Sequence, residues 1–215
     1  MTIKLIMFDL DGTLVDTALD ITNALNFAIK PYDMKSLTVE DTIKMVGEGV
    51  SRLVEKVLTA ERMQLKSDVM KRFIEYYSEH LTDNSKVYPH IKETLENLAG
   101  FWKAVISNKR EDPSKRLIKE LGLSEYFDLI IGSDSAGERK PSPLPVLYVI
   151  NKLGISIEES IIVGDSNYDI EAGKKAGVKT IAVTYGYRPR ESLTEADYVI
   201  DDIRELVPLV REIEQ

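Results

Sequence analysis

Short apolar runs without polar alternation recur along this chain, and each ends at small or polar residues before a helix-like segment. A continuous apolar run is typical of a parallel strand that is covered on both faces. Strands that alternate with helices predict a doubly wound, mostly parallel α/β sheet with a Rossmann-like core. The runs lie at residues 3–8, 104–106, 129–131, 161–163 and 180–183.

Residues that start and stop helices lie between these runs. Asp112, which is followed by a proline, predicts an N-cap with proline at the first helical position, and Gly122 marks the end of that helix. Residues 167–176, followed by Gly177, predict a second helix with a left-handed stop. Residues 156–159 have the spacing of a capping box, but a turn before the next strand would show the same pattern.

Residues 17–83 contain helix signals but no convincing strand. Residues 17–20 and 38–41 both have capping-box spacing, which predicts a helix start at each. A connection between a strand and a helix normally takes about 2–6 residues, so this segment is too long to be one. We therefore predict a helical cap at 17–83 that is inserted into an α/β core formed by residues 1–16 and 84–215.

Composition argues against several kinds of protein. Asp and Glu number 36 and Lys and Arg 28, and the resulting net charge of −8 argues against nucleic acid as a partner. The absence of cysteine excludes disulfides and a thiolate nucleophile, and only two histidines argue against a histidine metal site. No apolar run reaches the roughly 18 residues that cross a bilayer, and the first residues lack the basic region and long apolar run that are typical of a signal peptide. We expect a cytoplasmic protein with no membrane partner.

Two acids follow the first apolar run directly. Asp9 and Asp11 lie at the predicted C-terminal end of that strand, which is where open α/β sheets bind ligands. Gly12 lets the chain turn sharply and lets main-chain N–H groups approach an anion. A simple turn would also use Asp and Gly, but two acids at this end of a strand favour a functional site.

A second pair of acids, Asp165 and Asp169, follows the run at 161–163 in the same way. On its own, this pair could be a turn and the negative first turn of a helix. Four carboxylates at one sheet edge would repel one another by about 4 kcal/mol per pair, at roughly 4 Å and an effective dielectric near 20. A hard cation bound by oxygen relieves this repulsion, which predicts Mg²⁺ as the cofactor.

A hydroxyl and a cation complete the set. Ser107 follows the run at 104–106 and would face the same crevice, although a strand-ending turn also favours serine. Lys140 precedes a proline, and a solvated surface lysine is the simpler explanation for it taken alone. Together with the acids, these two residues supply the groups that phosphoryl transfer uses.

These motifs, in this order and with a helical insert after the first, resemble those of the haloacid dehalogenase-like hydrolase superfamily over nearly the whole chain. Residues 46–49, 107–109 and 185–187 are similar to the phosphoglycolate phosphatases within it. Two positions depart from that pattern: His90 stands where a glycine usually follows Tyr-Pro, and residues 140–145 lack the usual His or Asp after Lys-Pro. The motif residues are Asp9, Asp11, Gly12, Thr13, Ser107, Lys140, Gly164, Asp165, Ser166 and Asp169.

The resemblance implies a Mg²⁺-dependent phosphatase that forms an aspartyl-phosphate. Asp9 is the implied nucleophile and Asp11 the implied general acid and base, and both act with Ser107 and Lys140. The implied metal ligands are the Asp9 carboxylate, the Asp11 main-chain carbonyl and Asp165, while Asp169 orients the metal's waters or binds it directly. The substrate-binding candidates are Gly12, Thr13, Asn108, Gly47, Glu48 and Gly49.

Several alternatives remain open from sequence. The loop from Gly47 to Gly49 either approaches the substrate, with Glu48 aimed into the cleft, or is a plain turn between helices. The implied partner is a small phosphorylated metabolite, with 2-phosphoglycolate as the first choice, and the protein is expected to be a monomer or homodimer. A phosphosugar mutase or a pyrophosphatase would use the same aspartyl-phosphate, and a non-catalytic binding module is a more distant alternative.

Overall fold

The apolar runs form the strands of one parallel sheet, as the sequence predicts. The computed structural model describes residues 2–213. The six-stranded sheet has the order β5-β4-β1-β6-β7-β8, and β2 pairs antiparallel with β3 in a separate ribbon. The strands are β1 (Leu5–Phe8), β2 (Val15–Asp16), β3 (Lys86–Val87), β4 (Trp102–Ile106), β5 (Leu129–Ile131), β6 (Ser160–Gly164), β7 (Lys179–Val183) and β8 (Tyr198–Ile200).

Helices cover both faces of this sheet, which is why its central strand β1 is apolar throughout. All four residues of β1 are buried; Leu5 and Met7 pack into one cluster of side chains, while Ile6 and Phe8 pack into the other. The helices are α1 (Ala18–Ile29), α2 (Val39–Met45), α3 (Gly49–Val57), α4 (Lys66–Glu79), α5 (Ile91–Asn97), α6 (Glu111–Glu120), α7 (Leu144–Leu153), α8 (Asn167–Ala176) and α9 (Leu206–Ile213). Helices α7 and α8 cover the face that carries Leu5 and Met7, and α5, α6 and α9 cover the face that carries Ile6 and Phe8. The doubly wound fold is thus confirmed. No helix of the described residues is long and apolar enough to cross a membrane.

The predicted helix ends are confirmed in part. Helix α8 ends at Gly177, whose φ of 83° is left-handed, and Gly122 follows α6 with a φ of 66°. The prediction of Asp112 as an N-cap is wrong, because α6 begins at Glu111 and its N-cap is Arg110. The first amide of α6, that of Glu111, donates instead to the Asp134 carboxylate at 2.9 Å. Residues 156–159 form a turn rather than the first turn of a helix.

The chain between β2 and β3 carries α1–α4 and no strand, and α1 packs against α4. The capping box at Thr38 is present. The one predicted at Thr17 is absent, because Thr17 donates its hydroxyl to Asp11 and the Asp20 carboxylate accepts from Ser85. Helix α1 still begins there.

The chain enters and leaves this helical insert at one place. Val15 lies opposite Val87, and Asp16 lies opposite Lys86, in the antiparallel ribbon of β2 and β3. A two-residue pair of strands is a narrow connection, as expected of a hinge. The division into a core of residues 1–16 and 84–215 and a cap of residues 17–83 stays a prediction, and residues 1, 214 and 215 lie outside the described residues.

His90, which departs from the family pattern, adopts a strained backbone conformation. His90, which precedes α5, has a φ of 64°, a left-handed conformation that favours glycine. We expect His90→Gly to raise the free energy of unfolding by about 0.5–1 kcal/mol, because relief of roughly 1–2 kcal/mol of strain is partly offset by the entropy of glycine in the unfolded chain. Urea denaturation measures this change. His90→Ala is the control, since it keeps a Cβ and should bring no such gain; equal gains from both variants would contradict the backbone explanation.

Candidate active site

The candidate site lies at the C-terminal edge of the central strands. Asp9 follows β1, Ser107 follows β4 and Asp165 follows β6, and these three strands are neighbours in the sheet. A cavity of about 570 Å³ opens above this edge and is bordered by Asp9 and Ser107. The helical insert supplies the opposite, mainly apolar wall, with Ile21, Val46, Val50, Leu53, Phe73, Ile74 and Tyr77.

Three carboxylates from two motifs converge here. Asp9, Asp165 and Asp169 each offer an oxygen, and these oxygens lie within 4.8 Å of one another. Asp165 and Asp169 are 2% and 1% exposed, whereas the Asp9 side chain is 13% exposed at the floor of the cavity. Oxygen ligands at this spacing fit a hard divalent cation.

The electrostatics of the cluster favour a cation. Burial, followed by the Asp169 carboxylate, raises the pKa of Asp9 well above its ordinary value, although Lys140 opposes the rise. Burial and Asp169 likewise raise the pKa of Asp165 to about 7. Both shifts arise because desolvated like charges disfavour the ionised form, and a bound divalent ion would restore it.

Lys140 is the one cation inside the cluster among the described residues. Its Nζ lies 2.8 Å from Asp9 Oδ1 and 2.5 Å from Asp169 Oδ1, and it donates to the main-chain carbonyl of Ile106 at 2.6 Å. Burial alone would lower its pKa, but Asp169 and Asp9 outweigh that effect and raise it. The lysine is therefore charged and structural, not a solvated surface side chain.

Gly12 and Thr13 contact Asp165 and are not among the residues that line the cavity, and their contact with substrate stays a prediction. Gly12 has a φ of 87°, and a Cβ on it would lie 2.4 Å from Asp165 Oδ2. A side chain at this position would therefore displace the Asp165 carboxylate. Thr13 donates its hydroxyl to Asp165 Oδ1 at 3.2 Å, and the Tyr187 amide donates to Oδ2 at 2.7 Å.

Asp11 borders the cavity but lies outside the group of three carboxylates. Its Oδ1 accepts from the Thr17 hydroxyl at 2.6 Å and from Lys109 Nζ at 2.5 Å. Lys109 was not predicted as a site residue. Its position two residues after Ser107, at the end of a strand that reaches the site, is the signal that could have identified it.

Asn108 connects the sheet edge to the helical insert. Its Nδ2 donates to the Gly47 carbonyl at 2.7 Å and to the Lys140 carbonyl at 2.9 Å. Gly47 and Gly49 line the cavity, and a Cβ on Gly49 would lie 2.9 Å from the Asn108 carbonyl. Close approach of this loop to the core thus requires glycine.

Glu48 contacts a helix of the insert, and its role in binding substrate stays a prediction. Its carboxylate forms an ion pair with Lys56 of α3, and it is not among the lining residues. A second contact of this region with the core was missed from sequence: Arg188 donates to the carbonyls of Ile43 and Val46.

A parallel sheet whose central strands bring acids and a buried lysine to one edge, beneath a helical insert, defines a hydrolase of the haloacid dehalogenase type. The family model described as "Haloacid dehalogenase-like hydrolase" matches residues 6–183. The chain belongs to this family, which confirms the resemblance seen in the sequence.

Curated relatives and solved structures agree with this assignment. A phosphoglycolate phosphatase from Aquifex aeolicus (strain VF5) is 44% identical over 190 residues, which is 86% of each chain. One from Chromobacterium violaceum is 38% identical over 216 residues, 97% of each chain. The crystal structure of a predicted phosphoglycolate phosphatase from Haemophilus somnus 129pt superposes with a TM-score of 0.88 at 30% identity, covering 97% of this chain and 98% of that one.

The carboxylate cluster predicts a measurable metal affinity. We expect the protein to bind Mg²⁺ in isothermal titration calorimetry, and Asp165→Asn to weaken that binding by roughly tenfold or more, because one of three anionic ligands is lost. Asp112→Asn is a matched control, since Asp112 borders the same cavity outside the cluster. Equal loss in both variants would show that general charge, not the cluster, binds the ion.

Proposed function

We propose that this protein is a Mg²⁺-dependent phosphatase of small phosphate monoesters, with 2-phosphoglycolate as its substrate. The observation that carries the proposal is the different exposure of the three acids. Asp9 borders the cavity while Asp165 and Asp169 are buried beneath it, so one carboxylate is available to attack and two are available to bind a cation. The relatives named phosphoglycolate phosphatase support the choice of substrate.

Asp9 is oriented for nucleophilic attack. The Leu10 amide donates to Oδ1 at 2.7 Å and Lys140 lies 2.8 Å from the same oxygen, while Oδ2 accepts no hydrogen bond from the described residues. Oδ2 attacks phosphorus, an acyl-phosphate bond forms, and the bond from phosphorus to the ester oxygen breaks. The leaving oxygen takes a proton from Asp11.

Asp11 serves both halves of the reaction. It borders the cavity beside Asp9, and Thr17 and Lys109 fix its carboxylate. In the second half it accepts a proton from water as that water attacks phosphorus, which releases inorganic phosphate and returns Asp9 to the carboxylate form. Lys109 and Thr17 are thus positioning residues for the proton transfer.

The remaining site residues would offset the negative charge of the substrate and of the transferred phosphoryl group. Mg²⁺ bound by the carboxylates of Asp9 and Asp165, the Asp11 carbonyl and either Asp169 or water held by it would neutralise the anionic substrate. Ser107 borders the same cavity and offers a hydroxyl to the transferred phosphoryl group. A monomer or homodimer in the cytoplasm, acting on a small metabolite, stays a prediction.

The deciding experiment is a product analysis with and without Mg²⁺. Release of glycolate and inorganic phosphate from 2-phosphoglycolate, dependent on Mg²⁺, is the expected result. A mutase would return an isomeric phosphosugar, and a pyrophosphatase would cleave pyrophosphate in preference to the ester. A protein that turns over no phosphate compound with Mg²⁺ present would be a binding module.

The nucleophile has a specific signature. We expect Asp9→Asn to lower phosphate release by about a thousandfold or more, as loss of an attacking group does in other covalent mechanisms. The variant should fold normally, because the neutral amide removes repulsion with Asp169 and Asp165, and Lys140 keeps its contacts with Asp169 and Ile106. Thermal denaturation serves as the folding control; substantial residual turnover would exclude Asp9 as the nucleophile.

Asp11 should give a different phenotype. Asp11→Asn removes proton transfer from both steps, which typically costs about 10²–10⁴-fold in rate. We expect phosphoenzyme to accumulate after acid quenching with radiolabelled substrate, since the intermediate cannot be hydrolysed at the normal rate. If no labelled protein forms in either this variant or the wild type, the covalent route is wrong.

A further inference from the structure

Four cationic side chains border the cavity, and three of them already have partners. Lys109 pairs with Asp11 at 2.5 Å, Arg110 with Asp134 at 2.9 Å, and Arg116 with Glu120 at 3.5 Å. The fourth cation is Arg139. Among residues 2–213 no acid lies within ion-pair distance of its guanidinium.

Arg139 is placed where the insert meets the core. It is half-buried, and one guanidinium nitrogen lies 3.8 Å from the point where a Cβ on Gly49 would be. The next residue, Lys140, contacts Asp9 and Asp169, so the backbone at this position is fixed by the site itself. The arginine therefore borders the same space as the nucleophile, on the side closed by the loop of residues 47–49.

The acids near Arg139 do not neutralise it. Glu48 acts on it electrostatically, but the Glu48 carboxylate is bound to Lys56. Asp112 also borders the cavity, but it lies in the first turn of α6, where main-chain N–H groups favour a negative charge. A partly desolvated arginine without a partner is costly unless a ligand supplies the missing anion.

We infer that Arg139 binds the carboxylate of the substrate's leaving group and so selects phosphate esters that carry a second negative charge. The inference rests on the proposed function and names the residue responsible for its specificity. The planar guanidinium matches a carboxylate in a bidentate geometry. The apolar wall formed by Leu53, Phe73 and Ile74 lowers the local dielectric, which strengthens that contact.

Ethyl phosphate provides the comparison, because it replaces the carboxylate of 2-phosphoglycolate by a methyl group. The measured quantity is the ratio of kcat/KM for 2-phosphoglycolate to kcat/KM for ethyl phosphate. We expect the wild type to favour 2-phosphoglycolate and Arg139→Gln to lower the ratio by roughly 10- to 100-fold, mainly through KM, as loss of a charged hydrogen bond would. Arg139→Lys should restore part of the ratio.

Arg110→Gln is the matched control, since it removes an arginine from the same cavity that already has a partner. It should keep the wild-type ratio. A wild type with no preference between the two esters, or an Arg139→Gln variant with an unchanged ratio, overturns the inference while leaving the phosphatase activity intact. An equal loss on both esters would instead assign Arg139 to the phosphate or to closure of the insert.

A binding measurement separates this inference from the proposed chemistry. Calorimetry with Asp9→Asn and with Asp9→Asn/Arg139→Gln reports the Kd of both esters without turnover. The double variant should lose affinity for 2-phosphoglycolate relative to ethyl phosphate by the same roughly 10- to 100-fold factor. If the wild type turns over neither ester but this difference in Kd is found, the proposed function fails and the role of Arg139 stands. If Arg139→Gln changes the Kd of both esters by the same factor, the role of Arg139 is overturned.

Discussion

The electrostatic repulsion among the desolvated carboxylates of Asp9, Asp165 and Asp169 is the constraint on which the rest of the site depends. Their oxygens lie within 4.8 Å of one another, and two unit charges at that separation repel by roughly 3.5 kcal/mol at an effective dielectric near 20, whereas Lys140 supplies only one compensating charge. The surrounding chain is built to hold the acids in place despite this cost. A Cβ on Gly164 would lie 2.2 Å from the Asp169 Cγ, and Ser166 donates its hydroxyl to Asp169 Oδ2 at 2.6 Å. Such preorganisation holds the three carboxylates at a spacing that could bind a cation.

The same acids are coupled to the helical insert. The Tyr187 amide holds Asp165, and the next residue, Arg188, donates to two carbonyls at the end of α2. Asn108 makes a second connection, since its amide joins the Gly47 carbonyl of the insert to the Lys140 carbonyl of the core. Any movement of the insert about the ribbon at residues 15–16 and 86–87 must break these contacts, so opening of the cavity and the geometry of the site are linked.

Local sequence predicted those elements whose stabilising partners are local or generic. The central strands were recognisable because both faces are buried, and α8 was recognisable from its glycine stop. The start of α6 was not, because its first amide is satisfied by Asp134, far along the chain. Strand β8, at the edge of the sheet opposite β5, was also missed. The convergence of Asp9, Asp165 and Asp169 followed from parallel topology, whereas the ion pair of Glu48 depends on a neighbouring helix and could not be inferred from spacing.

The role of Lys140 depends on tertiary contacts that the sequence spacing does not show, and these contacts change how charge is balanced in the reaction. An ammonium group has three N–H donors, and Lys140 has three acceptors in contact: Asp9, Asp169 and the Ile106 carbonyl. With its donors used in this way, the lysine fixes the nucleophile and cannot also bind the phosphate without giving up one of them. The positive charge that receives the substrate must therefore come from elsewhere in the cavity. A divalent ion on the carboxylates would serve the phosphoryl group. The guanidinium of Arg139, which pairs with no acid within the described part of the chain, is available for the rest of the substrate.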